Sequence, residues 1–238
     1  MKTFRLYTHY KKILADTITP VSIYLKIRDK FPNSILLESS DYHANDNSFS
    51  YICCNPIASI QVNDNIISQT YPDGSSKTNF VDTVSVVDEI HKFTQLFKVD
   101  SNEDFKFINN GIFGYTAYDA VKYFEDIEIS KKENSIEIPE IYYAVYQNII
   151  AINHFKNEAY IFAHCFDSEN NIDEILQLIQ TRQYASYDFN TKGAIESNLT
   201  DDEYKEYVEL AKKHCARGDV FQLVLSKQFS QNFSGDEF

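Results

Sequence analysis

The stretch from Tyr142 to Phe166 limits what this chain can fold into more than any other. Tyr142–Phe155 and Ala159–Phe166 are long β-branched and aromatic runs, and Lys156-Asn157-Glu158 marks the turn between them. Runs of that kind joined so tightly read as a β-hairpin, and hairpin strands are antiparallel. Other strand signals follow the same pattern. Lys2–Tyr7 alternates, and Ser34–Ser39 and Ser48–Cys54 make a pair across the polar loop Asp41–Asn47. Ala58–Val62 and Ile66–Gln69 continue it, with Pro72-Asp73-Gly74 as a turn. Gly111–Tyr115 reads as a strand whose glycines allow close approach.

Helices are spread among these strands. Thr19 caps a helix that Pro20 opens, with Ile23, Tyr24, Ile27 and Phe31 at helical spacing and Pro32 as its stop. Ser85 caps another with the stripe Val86, Ile90, Phe93 and Phe97, and Ala117–Phe124 reads as a short one. Asn171-Ile172-Asp173-Glu174 and Thr200-Asp201-Asp202-Glu203 both have the form of a capping box. The second leads a helix with Tyr204, Tyr207, Val208, Ala211 and Cys215 on one face, ending at Gly218. A β run, Val220–Phe229, follows directly. Strands dominate without strict βαβ alternation, which predicts an α+β fold with mainly antiparallel sheets and flanking helices.

The 238 residues suit one large domain or two small ones at roughly 150 residues per domain. Gln183–Ser197 is polar and mostly unpatterned and reads as a linker. The expected organisation is therefore residues 1–185 as one domain, 186–199 as the connection, and 200–238 as a helix and strand beyond it. That last unit is too small to bury a core of its own.

Charge excludes some functions. The formal net charge of −13 lacks the basic footprint of a nucleic-acid binder and the polybasic patch of a membrane-surface protein. No apolar run approaches a membrane span, and the N-terminus carries no secretory h-region, so a cytoplasmic location is expected. Four cysteines include the neighbours Cys53 and Cys54, which would point to opposite faces of a strand. They read as small buried thiols, and none of the six histidines has metal-ligand spacing, so no metal site is expected in this chain.

Five blocks, in order and at fitting spacing, resemble anthranilate synthase component I of the chorismate-utilising enzymes. Ile35-Leu36-Leu37-Glu38-Ser39 resembles its Leu-Leu-Glu-Ser motif, and Ser48-Phe49-Ser50-Tyr51-Ile52 its Arg-Tyr-Ser-Phe-Ile strand, with Ser48 in place of Arg. Gly111 to Val121, ending in Tyr123-Phe124-Glu125, is similar to Gly-x-x-Gly-Tyr-x-x-Tyr-Asp-x-Val…Phe-Glu. Asn153-His154 falls where Asp-His is usual, and Gly218-Asp219-Val220-Phe221-Gln222-Leu223-Val224-Leu225-Ser226 resembles Gly-Asp-Ile-Phe-Gln-Val-Val-Leu-Ser.

The resemblance implies the N-terminal portion of an enzyme converting chorismate and ammonia to anthranilate and pyruvate, with tryptophan as feedback inhibitor. It further implies Mg²⁺ as cofactor, bound by residues beyond Phe238, and a glutamine amidotransferase subunit as partner. Residues 1–185 would be the effector and scaffold domain and 200–238 the start of the catalytic domain. On this reading the present chain is a truncated piece, inactive alone. Leu37, Glu38, Ser39 and Phe49 match the tryptophan-contacting positions, where a carboxylate can accept from an ammonium. Gln222 matches an active-site position at which water-using relatives carry a Lys base; a neutral amide suits ammonia, which needs orientation and not a strong base. The Gly-x-x-Gly-Tyr block reads as structural. Two alternatives stay open: aminodeoxychorismate synthase component I, and a non-catalytic ligand-binding or partner-docking module.

Overall fold

A computed structural model of the chain describes residues 2–38, 48–101, 103–129, 138–181, 186–236 and 238. They fall into two compact units, Met1–Ala185 and Ser186–Phe238.

The first unit is built on a nine-stranded sheet. Its spine is β3 (Phe49–Asn63) against β8 (Ile141–Asn153), antiparallel over almost their whole length. The hairpin expected from the aromatic runs is there: β8 turns into β9 (Glu158–Cys165), with Asn157 at positive φ and the Asn153 side chain accepting from the Lys156 N–H. Outward from β9 lie β1 (Phe4–Leu14), antiparallel to it, and β6 (Phe97–Asp100), parallel to β1. On the other side, β3 pairs with β4 (Ile66–Thr70), which turns into β5 (Ser76–Phe80). Two short strands fill in, β2 (Ile35–Leu37) on β3 and β7 (Phe113–Thr116) on β8. The α+β, mainly antiparallel expectation therefore holds.

The Pro72-Asp73-Gly74 turn forms as read. The Gly74 N–H reaches the Tyr71 carbonyl, Gly74 sits at φ +79°, and the Asp73 carboxylate accepts from the Ser75 backbone and hydroxyl. β3 departs from the sequence reading, which broke it at Pro56. The chain instead absorbs Pro56 in a bulge between Pro56 and Ala58, after Asn55 at positive φ, so the missing N–H interrupts no ladder bond.

Three helices pack on this sheet. α1 (Pro20–Ile27) starts at Thr19, whose hydroxyl accepts from the Ser22 N–H, and buries Ile23 and Ile27. α3 (Ile172–Gln180) buries Ile172, Ile175 and Ile179 in the same cluster, against Ile52, Cys54, Ile150 and Ile161 of the sheet. α2 (Val86–Gln95), capped by Ser85, packs Val86 and Phe93 against Ala58, Ile60, Val62 and Ile67. Phe97, read as the last residue of the α2 stripe, is the first of β6; the helix stops at Leu96. A third cluster, rich in aromatics, joins Cys53, Phe113, Tyr146, Ile149 and Phe162. Cys53 and Cys54 thus enter different clusters, as strand alternation requires.

The second unit contains β10 (Phe189–Ser197), α4 (Asp201–Arg217) and β11 (Phe229–Gly235). The Thr200–Glu203 capping box forms in full, and Gly218 closes α4 in the left-handed conformation. Two expectations change. Residues 189–197, inside the segment read as a linker, are a strand paired antiparallel with β11. The expected strand Val220–Phe229 does not form: a strand exists only where a ladder satisfies its backbone, and the ladder with β10 begins at Phe229.

Candidate functional site

The residues singled out from the sequence fall in two places. Leu37 ends β2, opposite Tyr51 on β3, and is 38% exposed. Phe49 opens β3 opposite Asn153 of β8, half-buried, its ring stacked 4.8 Å from Phe107 and 6.1 Å from Tyr51. Leu37, Tyr51 and Phe49 therefore share one face of the strand ends, while alternation turns exposed Glu38 toward the other. Ser39 lies outside the described residues.

On the Glu38 side of β3 stands Ser50, 1% exposed. Its hydroxyl lies 2.7 Å from Nε2 of exposed His154, and the His154 N–H donates to the Ser48 carbonyl at 3.1 Å. The ends of β3 and β8 are thus tied twice, once through backbone and once through side chains. Nothing local in the sequence reveals this tie; the signal was only that Ser50 and His154 stood within two family-like blocks.

The opposite face carries an aromatic layer that the sequence reading passed over. Phe105 and Phe107, spaced two apart as in a strand, lay their rings over Tyr10, Tyr160 and Phe162. The Tyr10 hydroxyl donates to Glu103, and Nε2 of His164 meets the Asn109 carbonyl at 2.8 Å. His164 is buried, its Nδ1 is 2.9 Å from the Thr8 hydroxyl, and desolvation holds its imidazole below the ordinary histidine value. A cavity of about 90 Å³, lined among others by Leu6, Ile112, Val145, Tyr146 and His164, sits beside it.

Gln222 belongs to the second unit. It is exposed, in a segment with no ladder, next to fully exposed Phe221. The segment is anchored at both ends. Asp219 takes His214 at 2.8 Å and Arg217 at 2.5 Å, and further on the Tyr204 hydroxyl donates to the Leu225 carbonyl and Lys227 pairs with Asp201. Hydrogen bonds from His214 and Arg217 hold the Asp219 carboxyl below the usual range.

Among the described residues no three His, Cys, Asp or Glu side chains come together in a way that could hold a metal ion. The described residues thus offer no three-donor cluster to which Mg²⁺ can be assigned. Burial pushes the Cys53 thiol well up and the Cys54 thiol to about 12, so both stay protonated. No helix among the described residues is long and apolar enough to cross a membrane.

Similarity to known proteins agrees with this architecture. The chain is 28% identical over 239 residues to anthranilate synthase component 1 of Lactococcus lactis, covering 96% of this chain and 50% of that protein. The same protein of Aquifex aeolicus is 28% identical, with 95% and 48% covered. Aminodeoxychorismate synthase component 1 of Bacillus subtilis is 23% identical, with 94% and 48% covered. The crystal structure of anthranilate synthase component I from Streptococcus pneumoniae superposes with a TM-score of 0.55 at 20% identity, covering 95% of this chain and 50% of that one, a likeness of fold. The chain spans about half the length of the curated relatives it matches. The chorismate binding enzyme family matches residues 33–238, on both units, and the chain belongs to that family.

Proposed function

We propose that this chain forms the N-terminal portion of an anthranilate synthase component I. The whole enzyme converts chorismate and ammonia to anthranilate, pyruvate and water in tryptophan biosynthesis. One observation carries the reading: 28% identity to two such enzymes over at least 95% of this chain, against 23% to the aminodeoxychorismate-forming relative. The whole enzyme works in the cytoplasm, takes ammonia from a glutamine amidotransferase subunit and requires Mg²⁺, which supplies charge neutralisation for the chorismate carboxylates.

The roles of this chain's own residues rest on the family resemblance, with Leu37 and Phe49 on one face of the strand ends and Glu38 on the other. Leu37 and Phe49 give apolar contact to tryptophan as feedback inhibitor, and Glu38 accepts from its ammonium, with Ser39 beside it in sequence. Gln222 orients ammonia; its exposure supports a residue whose working surroundings come from the rest of the enzyme. The 238 residues alone carry no synthase activity.

The test is product identity. The enzyme bearing this chain as its N-terminal portion, given chorismate, ammonium and Mg²⁺, makes anthranilate; aminodeoxychorismate as product overturns the reading in favour of the folate-pathway relative. Gln222→Ala in that enzyme lowers anthranilate output by about tenfold or more, as loss of a positioning contact does. Unchanged output contradicts the role of Gln222. Anthranilate from the 238-residue chain alone contradicts its inactivity.

A further inference from the structure

Residues 103–112, between β6 and β7, cross the aromatic layer as a strap. They form no helix or ladder, and among the described residues no backbone-to-backbone hydrogen bond holds them. Side chains fasten the strap instead. Tyr10 donates to Glu103 at one end, the rings of Phe105 and Phe107 rest on Phe162 and Tyr160 in the middle, and His164 meets the Asn109 carbonyl at the other end. Beyond Asn109 the chain turns at Gly111, φ +133°, where a Cβ would meet nothing within 4 Å, so that end has room to move. Of these fastenings only the imidazole ordinarily changes charge between about pH 5 and 8.

His164 is 1% exposed and lies beside the cavity of about 90 Å³. The Asn109 carbonyl can only accept, so the neutral ring carries its proton on Nε2, and its Nδ1 accepts from the Thr8 hydroxyl. A second proton, on Nδ1, obliges that hydroxyl to turn round and leaves a buried cation. Nothing facing the ring compensates it. Among the cavity-lining side chains Tyr146 of β8 is the one that titrates, and burial keeps its phenol protonated. Those from β1, α2 and β6 are uncharged, as are Asn110 to Ile112 of the strap. The strap's charged groups, Glu103, Asp104 and Lys106, are exposed. A buried charge without a counter-charge is costly. Asn110 and Gly111 line the cavity and are themselves exposed, so lifting the strap opens the ring's side of the cavity to water.

We propose that residues 103–112 form an acid-released strap with His164 as its latch. At neutral pH the uncharged ring holds Asn109, and the strap covers the aromatic face. As pH falls, a solvent proton taken up on Nδ1 is accommodated in the lifted state, where water reaches the ring, so protonation and opening are linked. Desolvation holds the imidazole below its ordinary value, the direction this linkage requires. The closed strap therefore keeps its full advantage above the ordinary histidine value of about 6.5 and loses it as pH falls toward the lower closed-state value. Opening uncovers Tyr10, Tyr160 and Phe162 and parts Phe107 from Phe49.

Trypsin reads the opening, because Lys106 is the one Lys or Arg within the strap. The rate of cleavage there in the 238-residue chain, divided by the rate in a free peptide of residues 103–112 at the same pH, follows the open population. That ratio should rise about tenfold from about pH 7.5 to 5.5, the increase that one group with an ordinary value of about 6.5 allows. His164→Gln keeps an N–H for the Asn109 carbonyl but cannot take a charge, and its ratio should stay flat. Where that variant does not fold, ring-proton NMR of the unaltered chain decides, since His164 should titrate below about 6.5. A flat ratio in the unaltered chain, or the same rise in His164→Gln, overturns the latch. So does a ring titrating at or above about 6.5. An equal rise in cleavage at Lys11 and Lys12 of β1 overturns the strap, because the whole sheet would then be opening.

Discussion

Glu89 shows how one side chain can carry part of the fold. It lies on α2 with its side chain 4% exposed, and its carboxylate accepts from Lys77 of β5, Lys92 one turn on, Asn79 and Gln69. Burial pushes its carboxyl up, but hydrogen bonds and charge from Lys77 and Lys92 outweigh that and hold it below the usual range. Because the folded value is depressed, this contribution is complete above the ordinary glutamate value of about 4.3 and fades as pH falls below it. Glu89→Gln should cost about 1–3 kcal/mol in denaturant unfolding at neutral pH and flatten the acid limb of stability below the ordinary glutamate value of about 4.3. An unchanged acid limb would assign that limb to other carboxylates. Gly114 makes a second residue-scale case, since a Cβ there would run into the Tyr142 carbonyl of the neighbouring strand. Gly114→Ala should therefore destabilise by about 3 kcal/mol or more in the same assay, whereas a loss under about 1 kcal/mol would mean β7 can shift away from β8. The glycine was visible in the sequence as a point of close approach. The Glu89 cluster was not, because its partners come from a hairpin 10 to 20 positions away and no local pattern marks them.

At the scale of elements, what could be read depended on where the stabilising partner lay. Caps at Thr19, Ser85 and Thr200 are local chemistry, and each forms as its spacing predicts. The Asn171 capping box does not. The Asn171 side chain makes no cap bond and instead exchanges hydrogen bonds with Asn148, fully buried on β8, while Asn170 accepts from the Ile172 N–H. A buried amide on a distant strand outcompetes a helix end open to water. Asn171→Ala should thus cost about 1–3 kcal/mol by stranding Asn148, more than the roughly 1 kcal/mol of losing an N-cap. Comparing its unfolding free energy with that of the double variant Asn148→Ala/Asn171→Ala tests this, since an additive double variant would deny the pair. The same distinction explains β10 and the segment after α4. Val220–Phe229 has strand composition, but pairing decided the matter, and β11 starts where β10 offers a ladder. β10 itself is polar and carries Gly193 at positive φ, so nothing in its own residues announced a strand.

Over the whole molecule, cohesion is uneven. Met1–Ala185 holds all three clusters of buried apolar side chains, while Ser186–Phe238 has no buried residue among those described. An antiparallel pair of strands and one helix without a core are marginal by themselves. Hydrogen exchange should accordingly be slowest in β3 and β8 and fast throughout 186–238, and limited proteolysis should release a stable product ending near residue 185. Equal protection in both units would contradict this division. The residues proposed for function divide along the same line, with Leu37, Glu38 and Phe49, the proposed effector contacts, in the cohesive unit and Gln222 in the loose one. Family membership was legible because five short blocks keep their order, whereas the surroundings of Gln222 were not, since they depend on contacts this chain does not supply within its own second unit. The central claim, that this chain serves anthranilate formation, is tested most directly by following anthranilate fluorescence when the enzyme bearing it is given chorismate, ammonium and Mg²⁺. The account predicts anthranilate and pyruvate in equal amounts; accumulation of aminodeoxychorismate with pyruvate retained on the ring would contradict it.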